Sequence, residues 1–293
     1  MKNNSASKLI QAVLIAACFA ASAALAAPIT FASGTDYDNG ATQTTGVFRD
    51  VLNGSTISIG NDLGGTTHSA LNFSGTNNNS PYNGAMTLYD KTPTDATVKT
   101  TFNGNLKISA DVMTANSNNS KGAGILFLFN EGAGMEGLAL SLFSAGNTDA
   151  KDFRLTSQAG EANSALATEA LTGANQIFEN IWYRLELDLT FSGSSYTVAG
   201  RVYNHTTGTD PNSAKGSQIG TQLDYTGALS GTIATPYEIG LLTRSAGGDF
   251  RTSVTNFDVE LPVGSSNVPE PGSIALMGLG ALGLASMRRR RQK

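Results

Sequence analysis

The chain has 293 residues, with 19 Lys and Arg against 23 Asp and Glu, a formal net charge of −4, one cysteine and two histidines. Setting aside Lys2 and Lys8 at the start, and Glu270, Arg288 to Arg291 and Lys293 at the end, 12 basic and 22 acidic residues remain, or about −10. That sign excludes nucleic acid and anionic membrane surfaces as electrostatic partners. With Cys18 the only cysteine, everything after it lacks disulfides and cysteine-held zinc.

Residues 1–26 read as a secretory signal peptide that engages the Sec export machinery. Lys2 and Lys8 form a basic start, Leu9 to Ala21 an apolar run, and Ala24-Leu25-Ala26 an A-x-A cleavage site. Cleavage after Ala26 leaves Ala27-Pro28 at the new terminus. Ile15-Ala16-Ala17-Cys18 also fits a lipoprotein box, but its apolar run is short and the residues after Cys18 stay apolar. An exported domain without disulfides depends on the size of its core. The ~240 residues that follow suffice for one large β-domain, placed at 27–262 with a linker at 263–267.

Asp36-Tyr37-Asp38-Asn39-Gly40 hints at a calcium loop. With Asp36 as position 1 of an EF-hand, Gly40 falls at position 5 and Val47 at 12, so that pattern fails. A turn is the simpler reading, with a looser calcium loop as the alternative; no other cofactor or metal is expected.

Apolar residues then alternate with polar ones, and Gly, Asn and Ser punctuate the runs. Leu106, Ile108, Ala110 and Val112 oppose Lys107, Ser109 and Asp111; Tyr183, Leu185, Leu187, Leu189 and Phe191 oppose Arg184, Glu186, Asp188 and Thr190. The pattern returns at Tyr196, Val198, Gly200 and Val202, and at Phe257, Val259 and Leu261. These predict strands with one wet face. Ile125 to Phe129 is apolar throughout and predicts a strand covered on both sides. Further strands are expected near Ile29–Ala32, Thr56–Ile59, Ala70–Phe73, Leu138–Phe143, Phe153–Thr156, Ile219–Tyr225 and Ile239–Thr243. The Ala-rich Glu161–Leu171 fits a helix or a long loop. The fold class is all-β, a two-sheet antiparallel sandwich.

Ile181-Trp182-Tyr183-Arg184-Leu185-Glu186-Leu187, followed by Tyr196-Thr197-Val198 and Gly200-Arg201-Val202-Tyr203, resembles the concanavalin A-like lectin/glucanase jelly roll, including laminin-G-type domains. Val254 to Leu261 is similar to the closing strand of that fold. The resemblance covers about half of the domain and implies a jelly roll whose loops often bind glycans. Fold alone does not assign function. Glucanases of this fold carry E-x-D-x-x-E or E-x-D-x-E, with the outer carboxylates as nucleophile and acid/base. Here Glu186-Leu187-Asp188 is followed by Thr190 and Phe191, so the second catalytic carboxylate is missing and no enzyme is expected. His68 and His205 are far apart in sequence and read as surface or strand residues. Asn79 and Tyr82 in one Asn-rich loop, Asn118 in another, and Tyr89 are candidates for contacting sugar: amides hydrogen-bond hydroxyls, and a tyrosine ring stacks on a pyranose.

The last stretch, 268–293, has three parts. Pro269 and Pro271 hold Glu270 in an extended tripeptide. Gly272 to Met287 is uncharged, and as a helix it would reach roughly 24 Å, short against a hydrocarbon core of ~30 Å. Arg288, Arg289, Arg290 and Arg291 then form a stop signal expected on the cytoplasmic side. Gly278-Leu279-Gly280-Ala281-Leu282-Gly283 spells a dinucleotide fingerprint, but the required strand and downstream acid are missing, and small residues in a membrane helix account for it. The order of tripeptide, apolar helix and basic cluster resembles the PEP-CTERM sorting signal. It implies cutting near Pro269–Pro271 by an exosortase, and release to the surface or matrix of an exopolysaccharide-producing Gram-negative bacterium. A plain C-terminal membrane anchor is the alternative. The expected role is a sorted matrix protein whose lectin-like domain binds or structures extracellular polysaccharide. A glycan hydrolase or lyase, and a structural protein without ligand, are the rival readings.

Overall fold

A strand of alternating residues has one apolar face, and two such sheets bury those faces by stacking. The computed structural model shows that arrangement. It describes residues 27–32, 36–37, 48–53, 56–75, 83–89, 100–115, 121–131, 135–144, 152–159, 162–245 and 250–261. Fourteen strands run through them: β1 Phe48–Asn53, β2 Thr56–Asn61, β3 Ser69–Gly75, β4 Asn83–Tyr89, β5 Leu106–Thr114, β6 Lys121–Asn130, β7 Glu136–Ser144, β8 Asp152–Ala159, β9 Ala162–Ala170, β10 Trp182–Ser192, β11 Ser195–His205, β12 Lys215–Ala228, β13 Glu238–Ser245 and β14 Phe250–Glu260.

All pairings are antiparallel, in two seven-stranded sheets. The first has the order β1-β4-β13-β6-β7-β8-β9, the second β12-β11-β10-β5-β14-β3-β2. The centre of each is built from strands far apart in sequence, β4, β13 and β6 in one and β10, β5, β14 and β3 in the other. This interleaving is the jelly-roll sandwich that the hairpin at Trp182 to Tyr203 leads one to expect.

Between the sheets lie the alternating residues read from the sequence: Leu106, Ile108, Ala110 and Val112 from β5, Leu185, Leu187 and Leu189 from β10, Val198 and Val202 from β11. The first sheet answers with Ile125, Phe127, Leu138, Leu140, Phe153, Leu155, Ile239 and Leu241. Each of the larger side chains so buried contributes about 1.5–3 kcal/mol. Phe31, Phe48, Tyr89 and Phe257 close one end as an aromatic cluster, with Phe48 edge-on to Phe257 at 5.1 Å. Ile125 to Phe129 is buried on both faces, as expected. The strand accommodates this with a bulge at Leu128 (φ 48°), which sends Phe127 and Leu128 inward and Phe129 to the opposite side.

Two expectations need correction. Glu161–Leu171 forms neither helix nor long loop: Ala162–Ala170 is β9, paired with β8 from Asp152↔Ala170 to Ala159↔Ala162. Backbone pairing to a buried neighbour outweighs the helix preference of alanine. The strand expected at Ile29–Ala32 reduces to a single bridge, Ile29↔Phe257, because Phe31 turns to φ 53° and drops into the core. β1 and β4 were not anticipated.

On one side the sheets are joined. The Thr221 amide of β12 donates to Glu169 Oε1 of β9 at 3.2 Å, and Gly220 (φ 65°) leaves room for Leu171 where the β11–β12 register shifts. No helix among the described residues is long and apolar enough to cross a membrane. The signal peptide (1–26), the linker (263–267) and the tail (268–293) lie outside the described residues.

Candidate functional site

The polar half of each alternating strand faces outward, so the second sheet's outer surface follows from register alone. One row across it runs Thr255, Asp111, Arg184, Tyr203; the next Asp258, Ser109, Glu186, Arg201; the third Glu260, Lys107, Asp188, Ala199, Asp224; the fourth Thr190, Thr197, Thr226. Charges of opposite sign fall side by side. Arg201 Nη1 donates to Asp188 Oδ2 at 2.6 Å and its Nε to Gln222 Oε1 at 2.6 Å, while Gln222 Nε2 donates to Asp224 Oδ1 at 2.6 Å. The hydrogen bond that Arg201 donates to Asp188 is the main reason that the Arg201 pKa is raised. Lys215 Nζ reaches Glu186 Oε1 at 2.7 Å and lies 4.2 Å from the Tyr203 ring centre, and Arg184 Nε stands 3.6 Å from the same Glu186 oxygen.

Beyond Arg201 the face opens into a shallow groove of about 320 Å³, lined by Asp188, Thr190, Thr197, Ala199, Asp224 and Thr226, with Val198 and Tyr225 behind. Ala199 keeps the floor low. Thr190 and Thr197 share a hydrogen bond through their hydroxyls. The lining therefore offers carboxylate acceptors and threonine hydroxyls, which both donate and accept.

At the other end of the same face, charge is buried. Asp111 is fully enclosed; its Oδ1 lies 3.0 Å from His205 Nε2, its Oδ2 accepts from Asn256 Nδ2 at 2.7 Å, and Arg184 Nη1 stands 3.6 Å away. His205 Nδ1 meets the Ser213 carbonyl at 3.1 Å. Burial lowers the His205 pKa, but the hydrogen bond and charge of Asp111 outweigh it, so the imidazole is raised above its ordinary value. Two loops cover this end, 62–68 and 206–214, tied by His68 Nε2 and Asp210 Oδ1 at 3.5 Å. Under them Trp182, Met113 and Ala70 form a small apolar cluster. The Asp62 side chain closes the first loop by accepting from the Gly64 and Thr66 amides at 3.0 and 3.1 Å.

The first sheet's outer face is of another kind. Met86, Leu88, Leu126, Phe129, Ala139 and Leu242 are buried together on it. Small residues, Gly122, Gly124, Ala139 and Ser141, cross β6 and β7. On β8, Arg154 Nη2 pairs with Asp152 Oδ2 at 2.5 Å, and the guanidinium lies 4.9 Å from the Phe143 ring centre. Burial raises the Asp152 pKa more than Arg154 lowers it.

Of the residues picked out in the sequence, Glu186 and Asp188 share the wet face of β10, each held by two cations; Thr190 occupies the outward position where a second catalytic carboxylate would stand. Tyr89 packs on Phe48 and Phe257. Asn79, Tyr82, Asn118, Ala24, Ala26, Pro269, Glu270, Pro271 and Arg288 to Arg291 lie outside the described residues. Tyr37 of the Asp36 segment is buried, and no cluster of three or more metal-ligating side chains occurs among the described residues. His205 is a strand residue, as expected, but a buried one. Its link to Asp111 and Asn256 was missed because 94 and 145 residues separate the bonded pairs, and no spacing signals them. The groove left a faint trace: threonine at the polar positions 190 and 197.

Residues 267–291 match the model of the PEP-CTERM protein-sorting motif. The chain carries an export-sorting signal at its C-terminal end. No curated protein matches the chain in sequence. Among solved structures it is similar to alginate lyase A1-II′, a member of polysaccharide lyase family 7, at 15% identity and a TM-score of 0.38, over 65% of this chain and 79% of that one. It is similar to lectin II from Ulex europaeus at 11% identity and a TM-score of 0.38, over 73% and 92%. The cellulose-induced protein Cip1 matches at 12% identity and a TM-score of 0.36, over 71% and 86%.

Proposed function

We propose that this is an exosortase-processed protein of the bacterial surface or extracellular matrix, of the Gram-negative kind, whose jelly roll binds neutral polysaccharide without cleaving it. The observation that carries the binding is the open groove over β10, β11 and β12. Asp188 and Asp224 accept hydrogen bonds, Thr190, Thr197 and Thr226 exchange them, and Ala199 leaves room for a sugar ring. Two carboxylates in the lining favour neutral or amino sugars over uronates. The sorting motif at 267–291 supports a place outside the cell for this binding.

The non-catalytic reading is supported by the ion pairs on Glu186 and Asp188 and by Thr190 where the glucanase pattern wants a carboxylate. The full chain should pull down neutral polysaccharide, and Ala199→Phe, which fills the groove, should weaken binding by about tenfold or more. Equal binding by wild type and Ala199→Phe would move the site elsewhere. Incubation with the same polymers should release no reducing ends; hydrolysis abolished by Glu186→Gln would overturn the non-enzyme reading. Secreted protein should end near Pro271 when an exosortase is present. A mass-spectrometric C-terminal peptide still carrying Arg288 to Lys293 in the wild-type secreted form would leave a plain membrane anchor instead.

A further inference from the structure

The buried cluster around Asp111 is not used by the groove, and its geometry calls for a role. His205 stands between two groups that only accept hydrogen bonds, the Asp111 carboxylate at Nε2 and the Ser213 carbonyl at Nδ1. A ring so placed needs a proton on each nitrogen, so the site holds imidazolium against carboxylate, both almost fully enclosed.

The same carboxylate anchors the loop 206–214. Asn256, at φ 50° in the β14 bulge, donates through one amide group to Asp111 Oδ2 at 2.7 Å and to the Pro211 carbonyl at 3.0 Å. His205 holds Ser213, and within the loop the Ser213 hydroxyl donates to the Asp210 carbonyl at 2.8 Å and accepts from the Thr207 amide at 3.1 Å. Asn256 Nδ2 also lies 3.5 Å from Asn212 Oδ1, and further ties are the Trp182 amide to the Gly208 carbonyl at 2.7 Å and the half-exposed His68–Asp210 contact. Among the described residues four hold the loop, and two of them, Asn256 and His205, converge on one carboxylate. Bonded to the loop through its amide at Gly208, Trp182 is wholly buried, its indole N–H without a partner among the described residues.

We infer that the 206–214 loop is a strap latched by the Asp111–His205 pair, and that loss of the imidazolium charge lifts it from the sheet and uncovers Trp182. Removing either proton sets a nitrogen lone pair against an acceptor oxygen in a buried site, a repulsion that water cannot relieve. The neighbouring charges are Arg184 on β10, which attracts Asp111 and opposes the imidazolium, with Glu186 and Lys215 next to it; Asp258 on β14; and His68 and Asp210 on the two loops. The His205 pKa is raised by folding, so its contribution is complete below the ordinary imidazole value and fades as pH rises through the folded one. Closure thus belongs to the acidic and neutral side and opening to the alkaline side. A protein exported from the cell meets such changes without cytoplasmic buffering.

Trp182 is the only tryptophan of the chain, so its fluorescence reports the strap directly. In the full-length protein, acrylamide quenching should be low near pH ~6 and rise toward pH ~9, the open-to-closed ratio growing up to about tenfold for each pH unit above the folded pKa. Far-UV circular dichroism should stay constant over that range, and hydrogen exchange should quicken at Thr206 to Ala214 but not along β5. His205→Gln and Asp111→Asn should each remove the step, leaving quenching flat with pH, while His68→Gln should keep it. If the two core variants do not fold, wild type and His68→Gln still decide. A flat wild-type profile, a step lost in His68→Gln, or a step accompanied by loss of β signal overturns the latch.

Discussion

The two sheets have seven strands each and share one core, yet their outer faces are built on opposite terms. The second sheet's face is held by charge. Arg184, Arg201, Lys107 and Lys215 stand next to Asp111, Glu186 and Asp188, because alternation places every second side chain of β5, β10 and β11 there and Lys215 opens β12 beside them. The first sheet's face is held by fit. Glycines at 124 and 240 let neighbouring backbones close in: an added Cβ would run into the Leu140 carbonyl at one and the Thr87 carbonyl at the other. Large apolar side chains fill the rest. A charged face can be loosened by changing a proton or a salt concentration; a fitted face responds only to volume.

The largest test of the contrast is Asp111→Ala. It strands His205 and Arg184 beside an empty site and should lower unfolding free energy by about 3–5 kcal/mol in a urea titration. A loss under about 1 kcal/mol would mean that the buried charges hardly support the second face. Next comes Gly124→Val, where the backbone must shift to admit a branched side chain; about 2–3 kcal/mol should be lost, with no dependence on salt. A clear salt dependence there would blur the distinction.

Asp152→Asn sharpens the picture at a buried charged spot of the fitted face, the pair with Arg154. The Asp152 carboxyl is raised above its ordinary value by burial, so its stabilising contribution is full below the unfolded pKa and lost as pH rises through the folded one. The amide should flatten that acid-range slope and change neutral-pH stability by no more than about 1 kcal/mol. A steeper slope in the variant would reverse the sign argued for Asp152. Smallest of all, Lys107→Ala removes an exposed partner 3.9 Å from Asp188 and should cost under about 0.5 kcal/mol, vanishing in high salt.

The same contrast explains how much could be read in advance. The second sheet's strands were plain in the sequence because water on one side enforces polar residues at every other position, as from Tyr183 to Phe191. In the middle strands of the first sheet both sides are buried, and period two fades. β4 shows Met86 and Leu88 outward and Thr87 and Tyr89 inward, so no alternation of polarity marks it. β9 was misread because alanines on an exposed edge satisfy a strand and a helix alike. The groove and the strap were less visible still. Each joins residues from strands that meet only after the sheets have formed, and Asp111, His205 and Asn256 have no common motif. The sorting segment is the reverse case, since its information is linear: a tripeptide, an apolar run and four arginines in order.

The contact between Thr221 and Glu169 also bears on how copies behave when crowded. β12 is a 14-residue edge strand, long enough to recruit a strand from another molecule along its open side. Its ladder is interrupted midway: the register slips at Gly220, and a carboxylate from the opposite sheet occupies the amide that follows. A neighbouring chain approaching this edge finds a bent backbone with one donor already taken. At high local density, self-stacking into fibrils is therefore disfavoured at this edge, and the groove alongside stays uncovered.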